Sequence, residues 1–263
     1  MDNLMLNNKI YLEGTVVEDL EFSHEMYGEG FYNFKMEVSR LSDVSDILNI
    51  TVSERLLADM ELKVGMDIIV EGQLRSYNKF VDGSNRLILT VFARNIEYCI
   101  ERSKNPNEIF LDGYICKEPI YRTTPFGREI ADLLLAVNRP YNKSDYIPNI
   151  SWGRNARFCK TLQVGDNIRV WGRLQSRYYQ KRISEDKTIT KVAYEVSISK
   201  MERVGDEQAG DNDYEESYEE KDFMDNIKRK TCIKNSMYNF LSCTYYSQVY
   251  LNKLIENFIK YER

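Results

Sequence analysis

The chain repeats itself, and a repeat of domain length limits the folds open to it more than any other feature of the sequence. KIYLEG at Lys9–Gly14 returns as EIFLDG at Glu108–Gly113, Tyr27-Gly28 as Phe126-Gly127, and Ser45-Asp46 as Ser144-Asp145, all at a spacing of 99 residues. With one inserted residue the spacing becomes 100. It then aligns Asn49-Ile50 with Asn149-Ile150, Val64-Gly65 with Val164-Gly165, and GQLRS at Gly72–Ser76 with GRLQS at Gly172–Ser176. Two copies of one domain are therefore expected over residues 5–104 and 105–204 of the 263.

Alternation of polar and apolar residues, with β-branched and aromatic enrichment, predicts strands over 8–18, 31–40, 47–53, 67–76 and 86–98. The second copy repeats the pattern over 108–117, 129–139, 148–153, 167–178 and 189–203. Between the third and fourth strands a short stretch suits a helical turn, Ser53 to Glu61 and Arg154 to Leu162, punctuated by the repeated Val-Gly pair. Five strands with a helix between the third and fourth is the order of the OB fold, a Greek-key barrel whose strand 2–3 face and loops bind oligonucleotides or oligosaccharides. The expected fold class is all-β, two tandem OB-fold barrels. An acidic, disordered linker is expected over 205–230 and an amphipathic helix over 231–263, where Met237, Phe240, Leu241, Tyr245, Leu254, Ile255 and Phe258 fall at helical spacing.

Charge is unevenly placed. The formal total is −5, from 36 Lys plus Arg against 41 Asp plus Glu. Evenly spread, it would argue mildly against a nucleic-acid binder. Residues 1–107, however, carry 11 basic and 18 acidic groups (−7), residues 108–204 carry 17 and 11 (+6), and residues 205–263 carry 8 and 12 (−4). A polyanion should prefer the second copy. One histidine, His24, placed by the pattern in an exposed acidic loop from Glu18 to Glu29, makes histidine-based catalysis and multi-histidine metal sites improbable. The five cysteines (Cys99, Cys116, Cys159, Cys232, Cys243) form no close pair and show no zinc spacing, so they are expected to be buried reduced thiols. No paired-carboxylate metal motif, phosphate loop or activated lysine stands out, which points away from an enzyme and from any cofactor. No apolar run approaches the roughly 18 residues that span a bilayer and no leader-type segment begins the chain, so a cytosolic protein without membrane contact is expected.

LLLAVNRPY (Leu133–Tyr141), ISWGRNARF (Ile150–Phe158) and VGDNIRVWGRLQSRYY (Val164–Tyr179) resemble the strand motifs of bacterial single-stranded DNA-binding proteins, in that family's order and spacing. PIYRTTPFG (Pro119–Gly127) is similar to the family's first hairpin. The resemblance covers nearly all of 108–204; in the first copy it is weaker, carried by GQLRS and Tyr77. It implies sequence-independent binding of single-stranded DNA in replication, repair and recombination, a nucleoid-associated location, and an assembly of four OB folds, hence a homodimer of this two-fold chain. It also implies recruitment of replication and repair proteins through an acidic tail. Here Asp206 to Asp225 holds ten acids and one lysine, but the chain continues past Phe223-Met224 instead of ending there. The resemblance places Trp152 at a base-stacking position on the third strand and Tyr179 at another just beyond the fourth.

Binding any single strand needs ring faces for bases and cations for phosphates. Beside Trp152 and Tyr179 the second copy offers Arg122, Arg128, Arg139, Lys143, Arg154, Arg157, Arg173, Arg177, Lys181 and Arg182; the first offers Tyr77, Lys79 and Phe80 on its matching hairpin. Each stacking aromatic is worth about 1–3 kcal/mol, and each neutralised phosphate adds about 0.7 to the salt slope. Other placements stay open at this point. Trp152 alternates with Ile150 and could share a core face; Tyr178 and Tyr179 point to opposite sides of a strand; Trp171 is a stacking platform or an interface residue; Arg154 and Arg157 could be the solvated face of the short helix. The repeat pairs Trp152 with Val52 and Tyr179 with Lys79, so the second copy is expected to be the principal DNA platform and the first a weak binder or a support. The competing reading is a non-catalytic OB-fold adaptor of replication or RNA-handling complexes with only weak nucleic-acid binding.

Overall fold

A computed structural model describes residues 6–205, apart from 43, 59, 82 and 183–187. The acidic run from Asp206 to Asp225 and the segment 231–263 lie outside the described residues. The chain is all-β with OB-fold barrels, in the order β1 (Asn8–Val16), β2 (Glu21–Met26), β3 (Glu29–Ser39), β4 (Ser45–Ser53), α1 (Glu54–Leu57), β5 (Asp67–Val81) and β6 (Ser84–Tyr98). The order repeats as β7 (Asn107–Thr123), β8 (Glu129–Arg139), β9 (Lys143–Trp152), α2 (Gly153–Phe158), a 3-10 turn at Cys159–Thr161, β10 (Asn167–Arg182) and β11 (Thr188–Arg203). In the first half β1 pairs antiparallel with β3 and β5, β3 with β4 and β5 with β6, and a short parallel pairing of β4 with β6 closes the barrel. The second half closes in the same way through β9 and β11.

Strand alternation fills each barrel. On β4, Asp46, Leu48, Ile50 and Val52 turn inward and are fully buried, and on β3 Phe34, Met36 and Val38 face them. On β9 the inward set is Asp145, Ile147, Asn149 and Ser151, opposed by Leu133, Leu135 and Val137 of β8.

Two differences from the sequence expectation have physical causes. β2 carries no period-2 pattern because all six of its residues are exposed; it is a strand because it pairs with β3 across a turn in which Tyr27 and Gly28 both have positive φ, 54° and 76°. His24 therefore lies on a strand, still exposed, and not in a loop. The inserted residue also falls later than the matching Asn-Ile pairs imply. The spacing stays at 99 through β9: Asp46 and Asp145 are the buried inward carboxylates, and Ser53 pairs with Phe31 as Trp152 pairs with Ile130. The extra residue lies in the helical turn, four residues long in α1 and six in α2, after which Gly72 and Gly172 stand 100 apart. The structural counterpart of Trp152 is thus Ser53, not Val52.

Gly72 and Gly172 mark a bulge repeated in both halves. A Cβ on Gly172 would sit 2.2 Å from the Ser197 carbonyl oxygen, and one on Gly72 would sit 2.2 Å from that of Phe92. Gly172→Ala should lower stability by about 1–3 kcal/mol, read as a lower urea midpoint at unchanged slope. An unmoved midpoint would mean that the bulge yields freely.

The halves join edge to edge. β1 and β7 pair antiparallel about Ile10 and Ile109, so the strands of the described residues form one eleven-stranded sheet. Each half also grips the other's hairpin through a buried aspartate. Asp46 accepts hydrogen bonds from the Ser176 amide (2.7 Å) and hydroxyl (3.1 Å), while Arg40 bonds both Asp46 (2.6 Å) and the Ser176 carbonyl (3.1 Å). Reciprocally, Asp145 accepts from the Ser76 amide (2.7 Å) and from Arg75 (3.0 Å), and the Tyr146 amide donates to the Ser76 hydroxyl (2.7 Å). The repeated Ser-Asp pair and the final serine of each GQLRS-like segment are the two sides of this clasp.

Candidate nucleic-acid interface

The outward face of β8–β9 is the strand 2–3 face of the second barrel. Trp152 lies opposite Ile130, and Ile130 opposite Arg122 of β7, so the three form one row; Ile150, Asp132 and Ile120 form the next. Trp152 does share a face with Ile150, but it is the outward one. The core face carries Ser151, Asn149 and Ile147. Trp152 is 42% exposed at the end of β9, where Gly153, at φ 54°, turns the chain into α2. Across the row Arg122 donates to Asp132 at 2.8 Å, with both side chains exposed. Such a pair is weak and leaves the guanidinium available to a phosphate. Arg154, in the first turn of α2, is exposed beside Trp152 in the chain, and Arg157 pairs with Glu129 at 3.2 Å.

The β10–β11 hairpin separates its two tyrosines. Tyr179, opposite Lys191, is 38% exposed; Tyr178, opposite Val192 on the other face, is 65% exposed. Arg177 is exposed and leans on Glu195 at 3.3 Å. The backbone of β10 runs through Lys181 and Arg182, whose side chains lie outside the described residues.

Two expected residues, Arg139 and Arg173, and Trp171, whose placement the sequence left open, stand apart from this surface. Arg139 sits beside the buried Asp145, Nε to Oδ2 3.3 Å, and so serves the clasp between the halves. Arg173 is half-buried on the β10 face that carries Trp171 and Gln175. Trp171 is 6% exposed and packs on Phe110 with ring centroids 5.2 Å apart, so no open stacking platform exists there; the indole fills the sheet between β7 and β10.

In the first half the row equivalent to Trp152–Ile130–Arg122 is Ser53–Phe31–His24. The His24 ring stacks on Phe31 at 5.0 Å and 11°, Phe31 touches Phe92 at 5.7 Å, and Arg94 lies 5.5 Å from the Phe92 ring centre. This half keeps aromatics at the site but builds them from β2, β3 and β6. On its hairpin Tyr77 and Lys79 share one face of β5 and Phe80 takes the other, all three exposed. Three aromatics that residue type and spacing do not mark as binding residues stand almost fully exposed at hairpin tips, Tyr27, Phe126 and Tyr141. The repeated aromatic-Gly pair carried the signal for the first two; Tyr141, at φ 63° beside Asn142 at φ 54°, is a turn residue of the same kind.

Among the described residues no group of three or more His, Cys, Asp or Glu could hold a metal ion, and no helix is long and apolar enough to cross a membrane. Cys159 is buried, and burial pushes its thiol above the usual cysteine range; Cys116, also raised by burial, and Cys99 are only half-buried, against the expectation for both.

Paired OB barrels with aromatics and cations on their outward strand 2–3 faces define an oligonucleotide-binding class of protein. Residues 106–203 match the model of the single-strand binding protein family. The single-stranded DNA-binding protein A of Bacillus subtilis (strain 168) is 32% identical over 117 residues, 42% of this chain and 67% of that protein. Single-stranded DNA-binding protein 1 of Staphylococcus aureus (strain COL) is 33% identical over 111 residues, covering 40% and 66% of the two chains. This chain thus spans about two thirds of the length of these relatives. Among solved structures, the wild-type single-stranded DNA binding protein from Thermus aquaticus shares the fold at a TM-score of 0.60 and 22% identity, over 80% of this chain and 98% of that one. The chain belongs to the single-strand binding protein family.

Proposed function

We propose that the chain binds single-stranded DNA irrespective of sequence and acts by binding alone, in replication, repair and recombination. The observation that carries this reading is the exposed row of Trp152 and Arg122 on the strand 2–3 face of the second barrel, in the basic half of the chain. An indole offers a stacking face to any base, and a weakly paired guanidinium offers a cation to any phosphate. Arg154 adjoins Trp152 in the chain, and the β10–β11 hairpin adds Tyr179 and Arg177, with Lys181 and Arg182 following in the chain. Residues 105–204 are the main platform, and 5–104, with Tyr77, Lys79 and Phe80 on its hairpin, supports it. Two chains associate as a homodimer of four OB folds in the cytoplasm, on the nucleoid, and the acidic run from Asp206 to Asp225 receives replication and repair proteins.

Titration of the full chain with oligo(dT) across a salt series tests this through tryptophan fluorescence. Quenching should be strong, steeply salt-dependent, retained in Trp171→Phe and lost in Trp152→Phe, because only Trp152 presents its ring outward. Absence of quenching and of binding at low salt would overturn the reading.

A further inference from the structure

The two clasps differ where each hairpin lies over the other half. Beyond Ser176 the β10–β11 hairpin continues across the outward face of β3–β4. Tyr194 lies opposite Ser176, and Tyr178 follows on the same face of the hairpin. Tyr194 packs against the core at this crossing beside Asn49, whose amide donates to the Leu89 carbonyl (3.1 Å) and which lies opposite Lys35 on β3. The Lys35 ammonium is within electrostatic reach of both tyrosine hydroxyls. Its nearest partner is Glu18, Nζ to Oε1 2.6 Å, in a pair whose side chains are 39% and 53% exposed. This face of β3–β4 is the strand 2–3 face of the first barrel, the surface through which OB folds take oligonucleotides.

The repeat supplies the comparison. In the other clasp the positions of Lys35, Asn49 and Tyr194 are taken by Leu134, Pro148 and Leu89, and that of Tyr178 by Asn78. One crossing has two leucines, a proline and an asparagine at these positions; the other has two tyrosines, an asparagine and a cation.

We propose that Tyr178 and Tyr194 of the second half, with Lys35 of the first, form an additional single-strand subsite bridging the two halves, in which a base stacks on Tyr178 and the adjoining phosphate takes Lys35 from Glu18. The subsite rests on the reading that the chain binds single-stranded DNA. Tyr178 is exposed enough to receive a base, and Tyr194, partly buried against the core, is the wall behind it. An exposed ion pair contributes little and is screened by salt, so exchange of the Glu18 carboxylate for a phosphate costs little. The site leads the strand from the basic half onto the acidic one at a crossing that carries a cation and two tyrosines.

The test compares Tyr178→Ala, Lys35→Gln and Glu18→Gln with the unaltered full chain, binding a long oligo(dT) across a salt series. Tyr178→Ala should weaken binding about five-fold or more, Lys35→Gln should lower the salt slope by about 0.7, and Glu18→Gln should tighten binding. All three side chains are at least partly exposed, so folding is expected to survive, and far-UV circular dichroism checks it. Affinity within about two-fold of the unaltered chain for Tyr178→Ala, or an unchanged salt slope for Lys35→Gln, would overturn the subsite while leaving single-strand binding intact. Failure of the unaltered chain to bind would instead remove the broader reading.

Discussion

Replacing Trp152 by alanine is expected to weaken binding of oligo(dT) and oligo(dC) alike, by roughly 5- to 150-fold, the range that corresponds to about 1–3 kcal/mol per stacked base. The loss should be insensitive to sequence because an indole face meets any base in the same way. It should also leave the thermal midpoint almost unmoved, since the ring is 42% exposed and ends a strand instead of filling the barrel. Arg122→Ala should act differently, lowering the salt slope by about 0.7 with a smaller change in affinity at high salt. A Trp152→Ala chain that binds as tightly as the unaltered protein would take this row out of the interface.

The second large effect concerns the clasp. Asp145 is fully buried, bonded to Arg75 and the Ser76 amide, with Arg139 alongside. Asp145→Ala removes the anion from a buried cluster and strands the cations around it, a change that costs about 3–5 kcal/mol. For a folded unit of this size each kcal/mol lowers the melting midpoint by about 2–4 °C, so a loss of roughly 6–20 °C is expected by circular dichroism. Asp46→Ala, facing Arg40 and Ser176 in the reciprocal clasp, should give a loss of the same order. A change below about 1 kcal/mol in both variants would mean that the β1–β7 pairing alone holds the halves together.

The repeat made the barrels legible because matched segments fall on matched strands, and the GQLRS and GRLQS segments mark the same bulge in both halves. Strand alternation also located the barrel strands of both halves. It failed on β2, where Glu21, Phe22, Ser23, His24, Glu25 and Met26 are all exposed and no periodicity can exist. Letter identity misled at Asn49-Ile50 and Asn149-Ile150. On the backbone Ile50 corresponds to Asn149, and this one-residue slip hid the true counterpart of Trp152. The site was partly legible. Trp152 and Arg122 could be expected from residue type, but Arg139 was indistinguishable from a phosphate contact until Asp145 was seen buried beside it. Trp171 was undecidable in sequence because a strand residue's face depends on its partner, here Phe110.

The short connection between β6 and β7, residues 99–106, makes the pairing of β1 with β7 a property of one molecule. Contacts between separate subunits weaken on dilution; tethered contacts experience a fixed local concentration, of millimolar order for short links. The two barrels should therefore stay paired at any protein concentration, and a single chain at high dilution would still present two adjoining OB faces to a strand. Only association between chains would respond to abundance.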